Sequence, residues 1–212
     1  MSRRSNPQRC ETCRVLRGCV CALMPRIQTR THVFLVVHAD EADKPTNTGT
    51  LALRALPNSS VRVVGEGTAL VREPPVVLPP GFVHLTLGMS EDARPLAEVM
   101  HELRGQPVCL CVPDGTWRQA HRIKKKHLAG VPAVTLPLGA PTAYALRAES
   151  HKGGLATLEA IARALAILED DPAIEQALLV PFLAFVAQSL KARGRPTGGA
   201  LPGSDGGDTS GG

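Results

Sequence analysis

The sequence predicts one α/β domain built on a mostly parallel sheet flanked by helices, and three observations carry that prediction. His32-Val-Phe-Leu-Val-Val-His38 is a continuous apolar run, the pattern of a strand buried on both faces. Val108-Cys109-Leu110-Cys111-Val112, bounded by Pro107 and Pro113, is a second run of that kind. Each leads through a polar turn into helical spacing, and strands alternating with helices give parallel sheets. At 212 residues the chain has room for one full core with tails and too little for two ordinary domains.

Residues 1–8 are polar and basic and read as a disordered lead. Residues 9–28 carry Cys10-x2-Cys13-x5-Cys19-x-Cys21. Thiolates this close can complete a tetrahedral Zn²⁺ site and give shape to a segment with almost no core. The first pair has zinc-knuckle spacing and the second is tighter than usual; free or redox-active thiols in an arm are the other reading. Cys109 and Cys111 lie in an apolar strand, where buried structural cysteine is the default. The main domain is expected over 29–192, and 193–212, dominated by Gly, Pro, Ser and Asp, reads as a disordered tail.

Within the main domain, the loop 38–49 is rich in Asn, Thr and Gly and follows the carboxyl end of a strand, where open sheets hold ligands. His38 there fits a general base or phosphate donor, or a histidine satisfied by the backbone. A helix is expected over 50–56, short strands at 61–64 and 76–78, and a helix over 92–103 with Pro95 in its first turn. Asp114-Gly115-Thr116-Trp117, with the chain's single tryptophan, ends the second buried run, and a helix over 117–128 follows. That helix puts Arg118, Arg122 and Lys125 on one face and Ala120, Ile123 and Leu128 on the other, with no acid between 117 and 128. Such a face suits phosphate tracking better than a mixed-charge solvated surface does. After a strand at 133–137, the loop 138–147 offers Tyr144 for stacking and Arg147 for a carboxylate. Thr157 is placed to cap a helix with Glu159 in its first turn, and Asp171-Pro172 starts a last helix that Pro181 should kink.

Composition narrows the partners. The balance of 24 Lys+Arg against 19 Asp+Glu, net +5 with pI near 9.1, favours a polyanion. Gly65-x-Gly67 falls short of the dinucleotide fingerprint, and no P-loop is present. With no apolar leader and an apolar stretch at 177–187 too short to span a bilayer, a soluble, cytoplasmic protein without a membrane partner is expected. Clustered cysteines in that compartment more often bind metal than pair.

Five motifs in order resemble the DTW-domain family, the tRNA-uridine aminocarboxypropyltransferases, from about residue 9 to 190. They are the cysteine cluster at Cys10, Cys13, Cys19 and Cys21; His-x-x-Glu at His38; Asn-Thr-Gly at Asn47; Asp-x-Thr-Trp at Asp114; and Ser-Thr-x-Glu-Ala at 156–160, with Ala156 where Ser is usual. The resemblance implies a SPOUT-like α/β fold with a knotted C-terminal half, S-adenosylmethionine as co-substrate, structural Zn²⁺, and transfer of the 3-amino-3-carboxypropyl group to N3 of a uridine in tRNA. It implies Asp114 as general base, since a partly buried carboxylate beside an aromatic ring can have its pKa raised toward working pH. It places Thr116, Trp117, Leu136, Tyr144, Arg147, Thr157 and Glu159 at the cofactor, with Arg147 on its carboxylate. His38, Asn47, Thr48, Arg118, Arg122 and Lys125 fall to the RNA, with no metal needed in the chemistry and a monomer in view. A SPOUT methyltransferase, or a non-catalytic zinc-dependent RNA-binding protein, would share many of these features.

Overall fold

The computed structural model describes residues 9–65, 74–88, 90, 92–137, 142 and 154–194. Six parallel strands form one sheet: β1 (His32–His38), β2 (Ser59–Val64), β3 (Val83–Leu87), β4 (Arg94–Pro95), β5 (Val108–Asp114) and β6 (Ala133–Thr135), in the order β2-β1-β5-β3-β6-β4. The helices are α1 (Ala39–Ala42), α2 (Thr48–Leu53), α3 (Leu96–Leu103), α4 (Trp117–His127), α5 (Thr157–Leu168) and α6 (Pro172–Lys191). A 3₁₀ turn, Cys21–Leu23, ends the cysteine cluster.

The two apolar runs are the central strands β1 and β5, and their side chains alternate between two cores. Val33, Leu35, Val37, Leu110 and Val112 face α2, α3, α5 and α6. Phe34, Val36, Cys109 and Cys111 face Ile123 and Leu128 of the α4 region. Four helices thus cover one face and α4 the other, so neither face of the central strands could be polar.

Three expectations change. Residues 76–78 form no strand, because Pro74, Pro75, Pro79 and Pro80 around them lack the N–H a ladder needs. The strand is β3, where Val83, Leu85 and Leu87 alternate with His84 and Thr86. Pro95 lies just outside α3 as its N-cap and closes β4, where its fixed φ suits an extended end. α6 runs 20 residues, well beyond the stretch 177–187, and is long and apolar enough to cross a membrane by length and composition. Its Leu178, Phe182 and Phe185 are fully buried in the larger core, and it packs chiefly on α5. Asp171 caps it, accepting from Ala173 N–H at 2.9 Å, with Pro172 first in the helix.

Glu169, at the C-terminal end of α5, reaches the segment that enters β1. Its carboxylate accepts from Thr31 N–H (2.8 Å), the Thr31 hydroxyl (2.5 Å) and Arg30 N–H (3.1 Å), with the Arg30 guanidinium at 3.4 Å. Burial pushes this carboxyl up, but the hydrogen bonds from Thr31 and Arg30 outweigh it and hold it below the usual glutamate range.

Candidate functional site

The sheet fixes where a site can be. β1 leads out through α2 on one face and β5 through α4 on the other, although the strands are neighbours with Val37 opposite Asp114. Adjacent parallel strands whose connections leave on opposite faces make the crevice in which open α/β sheets bind ligands. Its walls are His38 at the end of β1 and Asp114 at the end of β5.

Asp114 is 5% exposed. Asn47 Nδ2 donates to its Oδ2 at 2.6 Å and the Thr157 hydroxyl donates to its Oδ1 at 2.5 Å, from residues 67 and 43 positions away in the chain. Asn47 is pinned from its other side, because its Oδ1 caps α2 by accepting from Thr50 N–H at 2.7 Å. Gly49 follows from the same closeness: a Cβ there would stand 3.0 Å from Asp114 Oδ2 and 3.1 Å from Leu35. Thr48 is buried and accepts from Leu158 N–H at 3.4 Å, tying the start of α2 to that of α5. Asn47 and Thr48, expected to meet RNA, therefore turn their side chains inward; a buried amide and hydroxyl need partners, and the protein supplies them. Both neutral donors stabilise a carboxylate anion.

Thr157 does not cap α5. The N-cap is Ala156, whose methyl accepts nothing, and the Thr157 hydroxyl is engaged by Asp114 instead. Half of a capping box survives, with Glu159 Oε2 accepting from Ala156 N–H at 2.8 Å. The same oxygen accepts from the Thr142 hydroxyl, so Glu159, 6% exposed, ties the chain at 142 to α5.

On the other wall, His38 caps α1, its Nδ1 accepting from Asp40 N–H at 3.2 Å. Gln119 Nε2 lies 3.2 Å from the same Nδ1 and 3.2 Å from Asp40 Oδ2. An Nδ1 that accepts these N–H groups leaves the ring proton on Nε2 in the neutral form. Gly65, with φ +87°, lies against that nitrogen: a Cβ there would stand 2.8 Å from Nε2. Gln119 was not singled out in the sequence, although Thr116-x-x-Gln119 has the spacing of a capping box. That box forms, with Thr116 N–H donating to Gln119 Oε1 at 2.8 Å.

Trp117, in the first turn of α4, is 41% exposed. Arg118, Arg122 and Lys125 are exposed on the face opposite buried Ile123, as the spacing predicts. Lys124 turns away to Ser90 Oγ (2.5 Å) and Asp92 (3.7 Å). Leu136, half-buried, packs on the larger core just past β6. Tyr144 and Arg147 lie outside the described residues, as does nearly all of the connection from β6 to α5 on which a knot would depend.

The cysteine cluster has the geometry of a metal centre. All four sulfurs lie within 4.8 Å of one another, with Cys10 to Cys21 at 3.7 Å and Cys19 to Cys10 at 3.6 Å. Sulfurs about 2.3 Å from a tetrahedral ion stand about 3.8 Å apart, whereas a disulfide is about 2 Å long. Hydrogen bonds from the Cys13 and Thr12 backbone pull Cys10 down to about 6; burial, then the neighbouring thiols, push Cys21 up to about 12. Cys109 and Cys111 are the buried pair the sequence predicts, with sulfurs 4.0 Å apart and Cys111 raised by its neighbour and by burial.

A parallel α/β domain with a buried carboxylate at its switch point, three motifs gathered on that carboxylate and a four-thiol cluster beside it defines the class. The chain belongs to the DTW-domain family, whose pattern matches residues 7–190. It is 29% identical over 197 residues to tRNA-uridine aminocarboxypropyltransferase 2 of Macaca fascicularis and, to the same extent, of Mus musculus. Each alignment covers 89% of this chain and 65% of the relative, so the chain spans about two thirds of the length of those curated relatives. The Drosophila melanogaster protein of that name is 37% identical over 99 residues, 46% of this chain and 39% of its own length. Among solved structures, the SAM-dependent rRNA:acp-transferase Tsr3 from Vulcanisaeta distributa aligns with TM-score 0.44 and 19% identity, over 77% of this chain and 84% of its own.

Proposed function

We propose that this protein transfers the 3-amino-3-carboxypropyl group of S-adenosylmethionine to N3 of a uridine in tRNA, releasing methylthioadenosine. One observation carries the reading: Asn47, Asp114 and Thr157, from three separate family motifs, meet on a single carboxylate at the crevice where such sheets bind ligands. The names of the relatives supply the reaction and the RNA class.

S-adenosylmethionine supplies a carbon activated by its sulfonium; the protein must free uridine N3 of its proton and aim it at the γ-carbon rather than the methyl. Asp114 is the base in this reading. The N3–H bond breaks toward the carboxylate, whose position Asn47 and Thr157 hold, so that geometry decides which carbon is attacked. Thr116, Trp117 and Leu136, at the ends of β5 and β6, would hold the cofactor, with Thr157 and Glu159 acting from behind on Asp114 and on the chain at 142. Arg118, Arg122 and Lys125 hold RNA phosphates. The cysteine cluster fits Zn²⁺, which would fix the knuckle against the 3₁₀ turn and take no part in the transfer. Metal analysis of purified protein should find one zinc per chain, falling to near zero in Cys10→Ser; metal-free wild type would sink the zinc assignment. The protein works in the cytoplasm, where such thiols stay reduced.

The test is to incubate the protein with S-adenosylmethionine and unmodified bulk tRNA and to look for methylthioadenosine with a matching mass gain on uridine. Adenosylhomocysteine in its place would make the reaction a methyl transfer. No product with any RNA, and an Asp114→Asn protein indistinguishable from wild type, would leave an RNA-binding protein.

A further inference from the structure

Between the cysteine knuckle and α2 lies a cavity of about 140 Å³ lined by Thr12, Arg14, Lys44, Asn47, Thr50 and Arg54 among others. A single water needs only about 10–15 Å³ of such space, so there is room for the five heavy atoms of a phosphate group. Three segments each bring a cation to it: the knuckle, the α1–α2 loop and the C-terminal end of α2.

The cations differ in what already engages them. Lys44 Nζ stands 2.6 Å from Oε1 of the buried Glu41, and that pair cancels. Arg14 donates to the Asp43 backbone carbonyl at 2.8 Å and meets Asp43 Oδ1 at 3.4 Å; with side chains 43% and 69% exposed, the ion pair is of the kind worth at most about 1 kcal/mol. The guanidinium of Arg54 makes no hydrogen bond or ion pair among the described residues, although it lines the cavity. Arg14 and Arg54 against Asp43 leave one net positive charge, matching the single negative charge of a phosphodiester.

We propose that this cavity binds a backbone phosphodiester of the RNA substrate, with Arg54 as its principal ligand and Arg14 as the second fork. The inference rests on the RNA reading above and extends it, because no residue assigned there to phosphate lies in this cavity. Asn47 links the two places: it lines the cavity and donates to Asp114. A phosphate held here would anchor the strand one side chain away from the carboxylate, on the knuckle side of α2. A guanidinium is suited to this, since its planar donors can grip two phosphate oxygens at once.

The experiment measures binding of unmodified bulk tRNA to the full chain between 50 and 200 mM salt, for wild type, Arg54→Gln, Arg54→Lys and Arg104→Gln. Arg104, at the end of α3, lines no part of the cavity and controls for net charge. Removing one phosphate contact should flatten the slope of log K against log salt by about 0.7–0.9 and weaken binding roughly five- to tenfold near 100 mM. Arg54→Gln should show both changes with an unaltered melting temperature, Arg54→Lys should recover the slope but only part of the affinity, and Arg104→Gln should match wild type. Wild type that binds tRNA while Arg54→Gln equals it, or equals Arg104→Gln, overturns the cavity and spares the RNA reading. Wild type that binds no RNA overturns both.

Discussion

Two carboxylates, Asp114 buried and Glu169 half-buried, sit at opposite ends of the same sheet, and their settings differ. Glu169 stands at the entrance of β1, where the amides of Arg30 and Thr31, a threonine hydroxyl and a guanidinium close around it. Asp114 stands at the exit of β5, held by an asparagine and a threonine from remote motifs, beside the start of a helix with a cationic face. The first is locked by neighbours of one segment and ties that segment to α5; the second is positioned by side chains that could be exchanged without undoing a strand. In the proposed reading the sheet has its structural acid where chains enter and its reactive acid where they leave, the end at which open α/β sheets bind ligands. The largest effect expected from this contrast is in turnover. Asp114→Asn should lower the rate of methylthioadenosine release per folded molecule by about 10²–10⁴-fold, the worth of a positioned general base, and cost about 1–3 kcal/mol of stability, since two donors lose a charged acceptor. A loss of stability with activity per folded molecule intact would make Asp114 the same kind of group as Glu169.

Asn47 sharpens the contrast because it acts through Asp114. Asn47→Ala removes the 2.6 Å donor and the cap of α2 together, so both turnover and stability should fall. Asn47→Asp keeps a good cap but sets a second acid against Asp114. It should lose some stability, since two carboxylates this close resist ionising together, and roughly 10–100-fold in turnover, the cost of a misplaced reacting group. If both variants turn over like wild type per folded molecule, the hydrogen bond to Asp114 does not matter to turnover.

At the other end the readout is pH. Because the folded pKa of Glu169 is depressed, its stabilisation is fully present above the unfolded glutamate value, about 4.3, and is lost as pH falls through the folded value. Glu169→Gln should cost about 1–3 kcal/mol at pH 7, since buried donors lose a charged acceptor. The difference from wild type should shrink below about pH 4, and turnover per folded molecule should be unchanged. Denaturant unfolding at pH 7 and pH 3.5 decides it; a constant difference would remove the charge from the explanation.

The contrast also marks how far the sequence could be read. Strands β1 and β5 and the cationic face of α4 were legible because burial on two faces, or charge on one, writes a periodic pattern. The β3 strand left an alternation that the prolines on either side of 76–78 masked, and Gln119 left a capping spacing that was there to be used. What could not be read is which polar side chains meet. Asn47, Asp114 and Thr157 are separated by whole elements, and nothing local in Asn47-Thr48-Gly49 says that it faces an acid on another strand. Chain neighbours predicted a capping threonine at 157, and tertiary contact overrode them.

The smallest expected effect follows from that override. With Thr157 engaged by Asp114, α5 begins at Ala156 with extended φ and ψ (−65°, 152°) and no side-chain cap, while Glu159 already completes the reciprocal half of the box. Serine at 156, the residue usual in the motif this segment resembles, would place a hydroxyl where it accepts the N–H of residue 159. Ala156→Ser should therefore stabilise the fold by about 0.5–1 kcal/mol, a rise of about 1–4 °C in melting temperature, and leave methylthioadenosine release unchanged. The site is 7% exposed, so the added oxygen must also fit. A drop in melting temperature would mean that the methyl of Ala156 is already close-packed, and that this chain gave up the cap for packing around its first turn.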